Sequence, residues 1–178
     1  MGEKMLEGDS VLLIVQEINT VVGMDRIQQT VVNFFDPGST CSLVLTTYAE
    51  EHGLEGTPVT ITIATVNGEK QRDTKLYVIE LLTIWGERKM VRAFGMDKIT
   101  ERVPYICFDG VKHLFSDGVQ NVWEKVTRRP EGAIELLVGA EVASYFPTTF
   151  ESRGQLAVMN SIFGSGYAIF GTHLEISG

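Results

Sequence analysis

Short runs of β-branched and other apolar residues alternate along the chain with clusters of Gly, Pro, Asn and Asp. Runs rich in Val, Ile and Thr are typical of β-strands, and the residues between them are typical of turns. The pattern predicts strands at residues 11–18, 27–35, 59–66, 76–82, 89–96, 133–138, 156–162 and 167–172. No run approaches the roughly 20 apolar residues that cross a bilayer, so we expect no membrane partner.

Turn signals join several of these strands into hairpins. A turn around Val22-Gly23 lies between the first two predicted strands, and Asn67-Gly68 lies between 59–66 and 76–82. Asn-Gly is the strongest short hairpin signal, because both residues tolerate the backbone angles of a tight turn. We therefore expect a hairpin whose tip is at Asn67-Gly68.

Three segments have patterns typical of short helices. They are 43–52 followed by Gly53, 119–126 with apolar residues at helical spacing, and 140–146 stopped by Pro147. The 19 Val, 13 Ile and 16 Thr nevertheless outweigh the 14 Leu and 8 Ala. We predict a mostly β domain with two or three short helices.

Length and charge narrow the class of protein. The chain has 178 residues and a formal net charge of −8, which indicates one globular domain with a real core. The acidic balance argues against nucleic-acid binding, which needs clustered Lys and Arg. Two cysteines and three scattered histidines give neither a disulfide framework nor metal-ligand spacing, so we expect a reduced, intracellular, soluble domain without metal or cofactor.

One short segment carries candidate chemistry. Asp36-Pro37-Gly38-Ser39 directly follows the strand that ends in Phe34-Phe35. Taken alone, these residues suit a plain β-turn, with Pro at its second position and Gly at its third. The context adds an apolar strand before them, a short helix after them, a hairpin about thirty residues later and the apolar strand ending at Gly139.

With that context the chain resembles the retropepsins, the aspartic proteases of retroviruses and retrotransposons, and more narrowly the peptidase domain of BEL/Pao-type retrotransposons. The resemblance is carried by FDPGST at 35–40, VRAFGMDKIT at 91–100, RPEGAIELLVGA at 129–140, GQL at 154–156, FG at 163–164 and FGTH at 170–173. It implies a closed β-barrel-like fold with one lobe per chain. It also implies a single domain over 1–178, with a flexible N-terminus at 1–10 and a family-specific insertion at 97–130.

The chemistry of such an enzyme needs two carboxylates that hold a water between them. One is ionised and acts as the base, while the other is protonated and acts as the acid, because like charges about 3 Å apart do not both ionise easily. The chain has only one Asp-x-Gly-Ser, and its other six Asp residues lie outside any such motif. A twofold homodimer would bring Asp36 against its symmetry mate, and the resemblance implies the same arrangement.

The resemblance assigns roles to further residues around Asp36, the expected catalytic residue. Gly38 would let the backbone approach the carboxylate, and Ser39 would hydrogen-bond an outer carboxylate oxygen, although a simple turn hydroxyl fits Ser39 nearly as well. The expected substrate-binding and flap residues, where the flap is the hairpin over the substrate, are Thr40, Thr65, Val66, Asn67, Gly68 and Leu137. Leu137 fits a core position as well, and Val138 fits it better.

Three further features of the sequence bear on the candidate site. Pro37 replaces the Thr or Ser usual in the family, whose hydroxyl and N–H lock the two active-site loops across the dimer axis. Cys41 is expected to be a small buried filler, since no His lies near it in sequence. The basic cluster at 124–129 is expected to be a solvated helix end.

Three functions follow as hypotheses. The first is a homodimeric aspartic endopeptidase that processes a Gag-Pol-like polyprotein, in the cytoplasm or within retrotransposon virus-like particles. The second, motivated by Pro37, is a catalytically weak or inactive module of the same fold that dimerises or binds peptides. The third is an unrelated β-barrel binding domain in which Asp36-Pro37-Gly38 is only a turn.

Overall fold

A computed structural model describes residues 11–176, of which 48% are in strands and 14% in helices. The prediction of a mostly β chain with short helices is confirmed. The expected flexible N-terminus at 1–10 lies outside the described residues. Within 11–176, none of the helices has the length and apolar character needed to span a membrane.

Eleven strands and five short helical segments follow one another along the chain. The strands are β1 (Val11–Leu12), β2 (Val15–Val22), β3 (Ile27–Phe35), β4 (Ser42–Leu45), β5 (Gly56–Thr65), β6 (Gly68–Leu82), β7 (Arg88–Met96), β8 (Leu136–Val138), β9 (Thr148–Arg153), β10 (Leu156–Asn160) and β11 (Tyr167–Thr172). The helices are α1 (Thr46–Glu51), α2 (Asp117–Gln120) and α3 (Trp123–Val126), with 3₁₀ turns at Lys112–Leu114 and Ala140–Tyr145.

Six strands form a closed ring. The larger sheet has the order β2-β3-β8-β4-β7-β6-β5, and an additional pairing between β2 and β6, at Thr20 and Leu81, closes it. Strand β8 lies between β3 and β4, parallel to β3 and antiparallel to β4. The short β8 therefore joins the residues on either side of the Asp36 loop, and fully buried Phe35, Val44 and Leu136 pack inside the ring.

The hairpin of β5 and β6 projects from this ring. Its strands pair over ten positions, from Gly56 with Tyr77 to Thr65 with Gly68. The turn residues are thus Val66 and Asn67, and Gly68 follows with φ of +109°. The predicted hairpin is confirmed, but the turn lies one residue earlier than Asn67-Gly68, and the glycine supplies the positive φ just after it.

A second sheet, with the order β1-β11-β10-β9, packs against the ring through Met159, Phe163 and Ala168. Its opposite face buries Leu156, Val158 and Ile169. The segment from Ile106 to Val126 covers that face and builds a second core with it. The central part of the segment 97–130 is therefore a packed layer over the second sheet.

Several predicted element bounds are wrong, for reasons that lie in tertiary pairing. The run 11–18 is split, because β1 pairs with β11 whereas β2 pairs with β3. The first part of the predicted helix 43–52 is strand β4, which fills the gap between β7 and β8, and only Thr46–Glu51 is helical. Helix 119–126 is broken into α2 and α3, strand 133–138 is reduced to β8, and β9 has no counterpart among the predicted strands.

Candidate active site

Asp36 begins a tight loop at the end of the buried strand β3. Its backbone N–H donates to the carbonyl of Val138 at 3.0 Å, which continues the pairing of β3 with β8. The N–H of Ser39 donates to the carbonyl of Asp36 at 3.1 Å, and the N–H of Gly38 donates to its Oδ1 at 2.9 Å. A β-turn and an Asx-turn thus fix a partly exposed carboxylate at the end of a rigid strand.

The residues that follow β8 hold this loop from the other side. The N–H of Ala140 donates to the carbonyl of Ser39 at 2.8 Å, and the N–H of Gly139 donates to the buried Oγ of Ser42 at 3.0 Å. A Cβ at position 139 would lie 2.5 Å from the carbonyl oxygen of Cys41, so only glycine fits this approach. Gly38 is also closely packed, since a Cβ there would lie 3.2 Å from Oδ1 of Asp36.

Ser39 does not make the hydrogen bond expected from the resemblance within this single chain. Its Oγ donates to the carbonyl of Cys41 at 2.7 Å instead of contacting the carboxylate of Asp36. A hydroxyl has one proton to donate, and here the carbonyl two residues ahead accepts it. The alternative interpretation of Ser39 as a turn hydroxyl therefore describes its place in the monomer.

The thiol of Cys41 lies beside this loop but is not prepared for nucleophilic chemistry. Burial raises its pKa, the carboxylate of Glu141 raises it further, and a hydrogen bond with Ser39 acts in the opposite direction. A raised pKa keeps the sulfur in its weakly nucleophilic thiol form at neutral pH. Among residues 11–176, no group of three or more His, Cys, Asp or Glu side chains is placed to hold a metal ion.

An apolar groove of about 450 Å³ runs between the hairpin and the residues that follow this loop. Its lining comprises Cys41, Leu43, Ile61, Thr62, Ile63, Phe94 and Met96. The two isoleucines belong to the half-buried face of β5, on which Arg72 of β6 lies opposite Ile61. Arg72 is held by an ion pair with Asp97 at 2.9 Å. The groove is open, close to the Asp36 loop and wide enough for an apolar side chain of an extended peptide.

The predicted flap residues lie at the outer end of the hairpin, where Thr65, Val66, Asn67 and Gly68 are all exposed. Their side-chain hydrogen bonds are internal, since Oγ1 of Thr65 donates to the carbonyl of Gly68 at 2.7 Å. Within the described part of the chain, no side-chain hydrogen bond joins this tip to Asp36. The arm of the hairpin, rather than its tip, borders the groove.

Two other predicted substrate residues have different surroundings. Thr40 is exposed and follows the Asp36 turn. Leu137 is only 5% exposed, between Phe34 and Leu43 in the sheet, and it is not part of the groove lining. In the single chain Leu137 is a packing residue, as is fully buried Val138.

The sequence did not predict the groove residues of β7 or the hydrogen bond of Ser42 that supports the loop. Phe94 and Met96 enter the groove because β7 pairs with β4 in parallel, a contact between residues about fifty positions apart. No local pattern predicts such a pairing. The sequence indicates the role of Ser42 only weakly. A polar residue at the start of the apolar strand β4 needs a hydrogen-bond partner when it is buried, and in the structure that partner is the N–H of Gly139.

Comparison with known proteins adds no assignment. No protein-family model, no curated protein and no solved structure matches this chain.

Proposed function

We propose that the chain is one half of a retropepsin-like aspartic endopeptidase of the BEL/Pao type, with Asp36 as its catalytic carboxylate. One observation carries the proposal. A partly exposed Asp stands at the end of a buried strand, in a loop fixed by six hydrogen bonds, and Cys41, which follows this loop, lines an apolar groove that the projecting hairpin borders. Preorganised carboxylates beside a groove for an extended chain are what peptide hydrolysis requires.

The second carboxylate would come from a second copy of the chain. In the single chain, Oδ1 of Asp36 accepts the N–H of Gly38, and among the described residues no ion pair or other side chain engages this carboxylate. A twofold axis beside the exposed face of the loop would place the two Asp36 carboxylates together. One would then take a proton from the attacking water while the other donates a proton to the carbonyl oxygen of the scissile bond.

The substrate class follows from the shape of the groove. An extended polypeptide would lie between the loop and the hairpin arm, with an apolar side chain against Leu43, Ile63 and Phe94. Processing of a polyprotein is the role that the resemblance adds. The hairpin would exclude water from the reacting bond when it closes over the peptide.

A second candidate is a weak or inactive dimerisation or peptide-binding module of the same fold. The exposed Pro37 favours it, because proline has neither the hydroxyl nor the N–H that locks the paired loops in the family. The hydroxyl of Ser39 does not replace them, since it is engaged with Cys41. The groove and the hairpin would still suit a bound peptide.

A peptide-library cleavage assay with matched variants tests the proposal. Asp36→Asn should abolish cleavage, whereas Asp25→Asn, the same change in an exposed turn, should leave it intact. A pepstatin-type inhibitor should bind the parent chain. Undiminished cleavage by Asp36→Asn rejects the endopeptidase. A dimer by light scattering without cleavage or inhibitor binding supports the inactive module, and a monomer with neither supports the third hypothesis, a plain turn in a binding domain.

A further inference from the structure

Arg129 is a partly buried cation for which residues 11–176 supply no counter-ion. Arg129 lies three residues after the end of helix α3. Its Nε is buried without a hydrogen-bond partner among the described residues. No ion pair or hydrogen bond to Arg129 occurs among residues 11–176. Burial lowers its pKa to about 10, so the guanidinium is desolvated yet still charged at neutral pH. The expectation that 124–129 is a solvated helix end is therefore wrong for this residue.

An unpaired guanidinium with a buried Nε is costly, because the described residues replace neither the water that it loses nor its counter-ion. Proteins normally pair such a group with a carboxylate. An unpaired one beside a cavity therefore indicates a ligand that brings the missing anion. Arg129 borders two cavities, so the site of that ligand has two candidates.

The charges around the cavities decide between them. The larger, of about 480 Å³, also exposes the carboxyl groups of Asp109, Glu124 and Glu131, so it disfavours an anion. The smaller, of about 120 Å³, is bordered by Arg129 and by exposed Arg102, for which no ion pair occurs among the described residues. Its one acidic neighbour, Glu101, is paired with Lys98 at 2.9 Å.

The remaining wall of the smaller cavity is apolar. It is formed mainly by Val11, Leu13, Phe34, Val103 and Ile134. Two arginines and an apolar wall lining one cavity suit a carboxylate with an apolar substituent, because each part of the ligand meets a matching kind of surface. A cavity of this size has room for one small branched side chain.

We propose that this smaller cavity, the Arg129 cavity, binds a carboxylate that carries a short apolar group. Two sources offer this chemistry, namely the C-terminal residue of a peptide and a free short-chain carboxylic acid. The site is separate from the Asp36 groove, and its occupation does not depend on any hydrolytic activity. It gives a binding role to the segment 97–134, which closes the cavity against Phe34 of β3.

Calorimetric titration of the intact chain tests the proposal with three probes: acetyl-Gly-Leu acid, its C-terminal amide and 4-methylpentanoate. The acid should bind at least about tenfold more tightly than the amide, since only the acid offers the anion. If 4-methylpentanoate binds as tightly as the peptide acid, the ligand is a small free acid. If it binds more weakly, the ligand is a peptide C-terminus.

Matched variants locate the binding. Arg129→Met should lower the affinity for the peptide acid at least about tenfold. Arg128 is an exposed neighbour outside the cavity, and Arg128→Met should change that affinity less than about twofold. Arg129→Met without ligand should unfold at the parent temperature or above, because it removes an unpaired charge. If it does not fold, exposed Arg102→Met gives the same test. Equal affinity for acid and amide, unchanged affinity in a folded Arg129→Met or Arg102→Met, or no binding at about 10 mM overturns the proposal.

Discussion

The N–H of Gly139 donates to the buried Oγ of Ser42 at 3.0 Å, and this bond ties the end of β8 to the far side of the Asp36 loop. A methyl group at 139 would lie 2.5 Å from the carbonyl oxygen of Cys41, a backbone atom that cannot rotate away. We expect Gly139→Ala to lower the free energy of unfolding by about 1–3 kcal/mol through overpacking. Urea denaturation of the parent and the variant measures this difference in the free energy of unfolding.

Gly118→Ala is the matched control for that variant. Gly118 lies in helix α2 and has no positive φ, and a methyl group there would meet no atom closer than 3.8 Å. Alanine at this position should be neutral or stabilise the protein by about 0.4–1 kcal/mol, because it restricts the unfolded chain. Equal stability of Gly139→Ala and Gly118→Ala would contradict the tight approach at Gly139.

Pro37→Thr tests whether the proline weakens the proposed dimer. Threonine restores an N–H and a hydroxyl in an exposed loop, and two new hydrogen bonds of about 1 kcal/mol each would tighten a dimer roughly tenfold or more. Loss of the proline should at the same time lower monomer stability by about 0.4–1 kcal/mol. Light scattering over a concentration series gives the dimer constant.

Pro58→Thr serves as the control, since it makes the same exchange at an exposed position of β5 outside the Asp36 loop. It should leave the dimer constant unchanged. If Pro37→Thr and Pro58→Thr behave alike, the loop does not lie at a dimer axis in the way we propose.

The local parts of this fold can be predicted from the sequence, and the paired parts cannot. Strand β3 and the turn at Asp36 are predictable because β-branched residues and Pro-Gly act on their own neighbours. The residues Leu43–Leu45 suit a helix and a strand equally, and their place between β7 and β8 decides the outcome. The prediction for Arg129 is wrong because the cavity that it borders is also lined by Phe34 of β3, which lies far from it in the sequence.

Asn33 is a buried polar residue whose side chain lacks partners. It is fully buried in β3, and neither its Nδ2 nor its Oδ1 has a hydrogen bond among the described residues. We expect Asn33→Leu to raise the free energy of unfolding by about 1–3 kcal/mol, since it removes the cost of an unsatisfied buried amide at similar volume. Asn19→Leu, an exposed exchange on β2, should change it by less than about 0.5 kcal/mol. A less stable Asn33→Leu would indicate that an internal water satisfies the amide.

Glu135 should make stability depend on pH. Burial raises its pKa above the ordinary 4.5, and the N–H of Val32, donating to Oε1 at 2.9 Å, only partly offsets this. The folded chain thus binds this proton more tightly than the unfolded chain. The ionised carboxyl therefore destabilises the fold above its folded pKa, and the cost disappears as the pH falls through that pKa towards 4.5.

Glu135→Gln should consequently be more stable than the parent at pH 7, because the amide oxygen can still accept the N–H of Val32. The advantage should shrink as the pH approaches 4.5 in urea denaturation. Glu69→Gln, on the exposed part of β6, should change stability little at either pH. An advantage that is the same at both pH values would argue against burial of a charged carboxyl as its cause.

Dimerisation should strengthen as the pH falls. Each chain has a net charge of −8, so a dimer brings together −16, and the proposed axis places two of these negative charges, the Asp36 carboxylates, face to face. Protonation of carboxyl groups between pH 7 and pH 5 weakens this repulsion. Added salt at pH 7 should act in the same direction, because about 0.15 M salt screens exposed charges beyond about 8 Å. Light scattering at both pH values, with and without salt, measures the dimer constant.

Asp36→Asn should reduce the pH dependence of the dimer constant, whereas Asp25→Asn, with an equal change in net charge, should reduce it less. A dimer that is as tight at pH 5 as at pH 7, or weaker, would contradict the proposal that two Asp36 carboxylates face each other across the dimer axis.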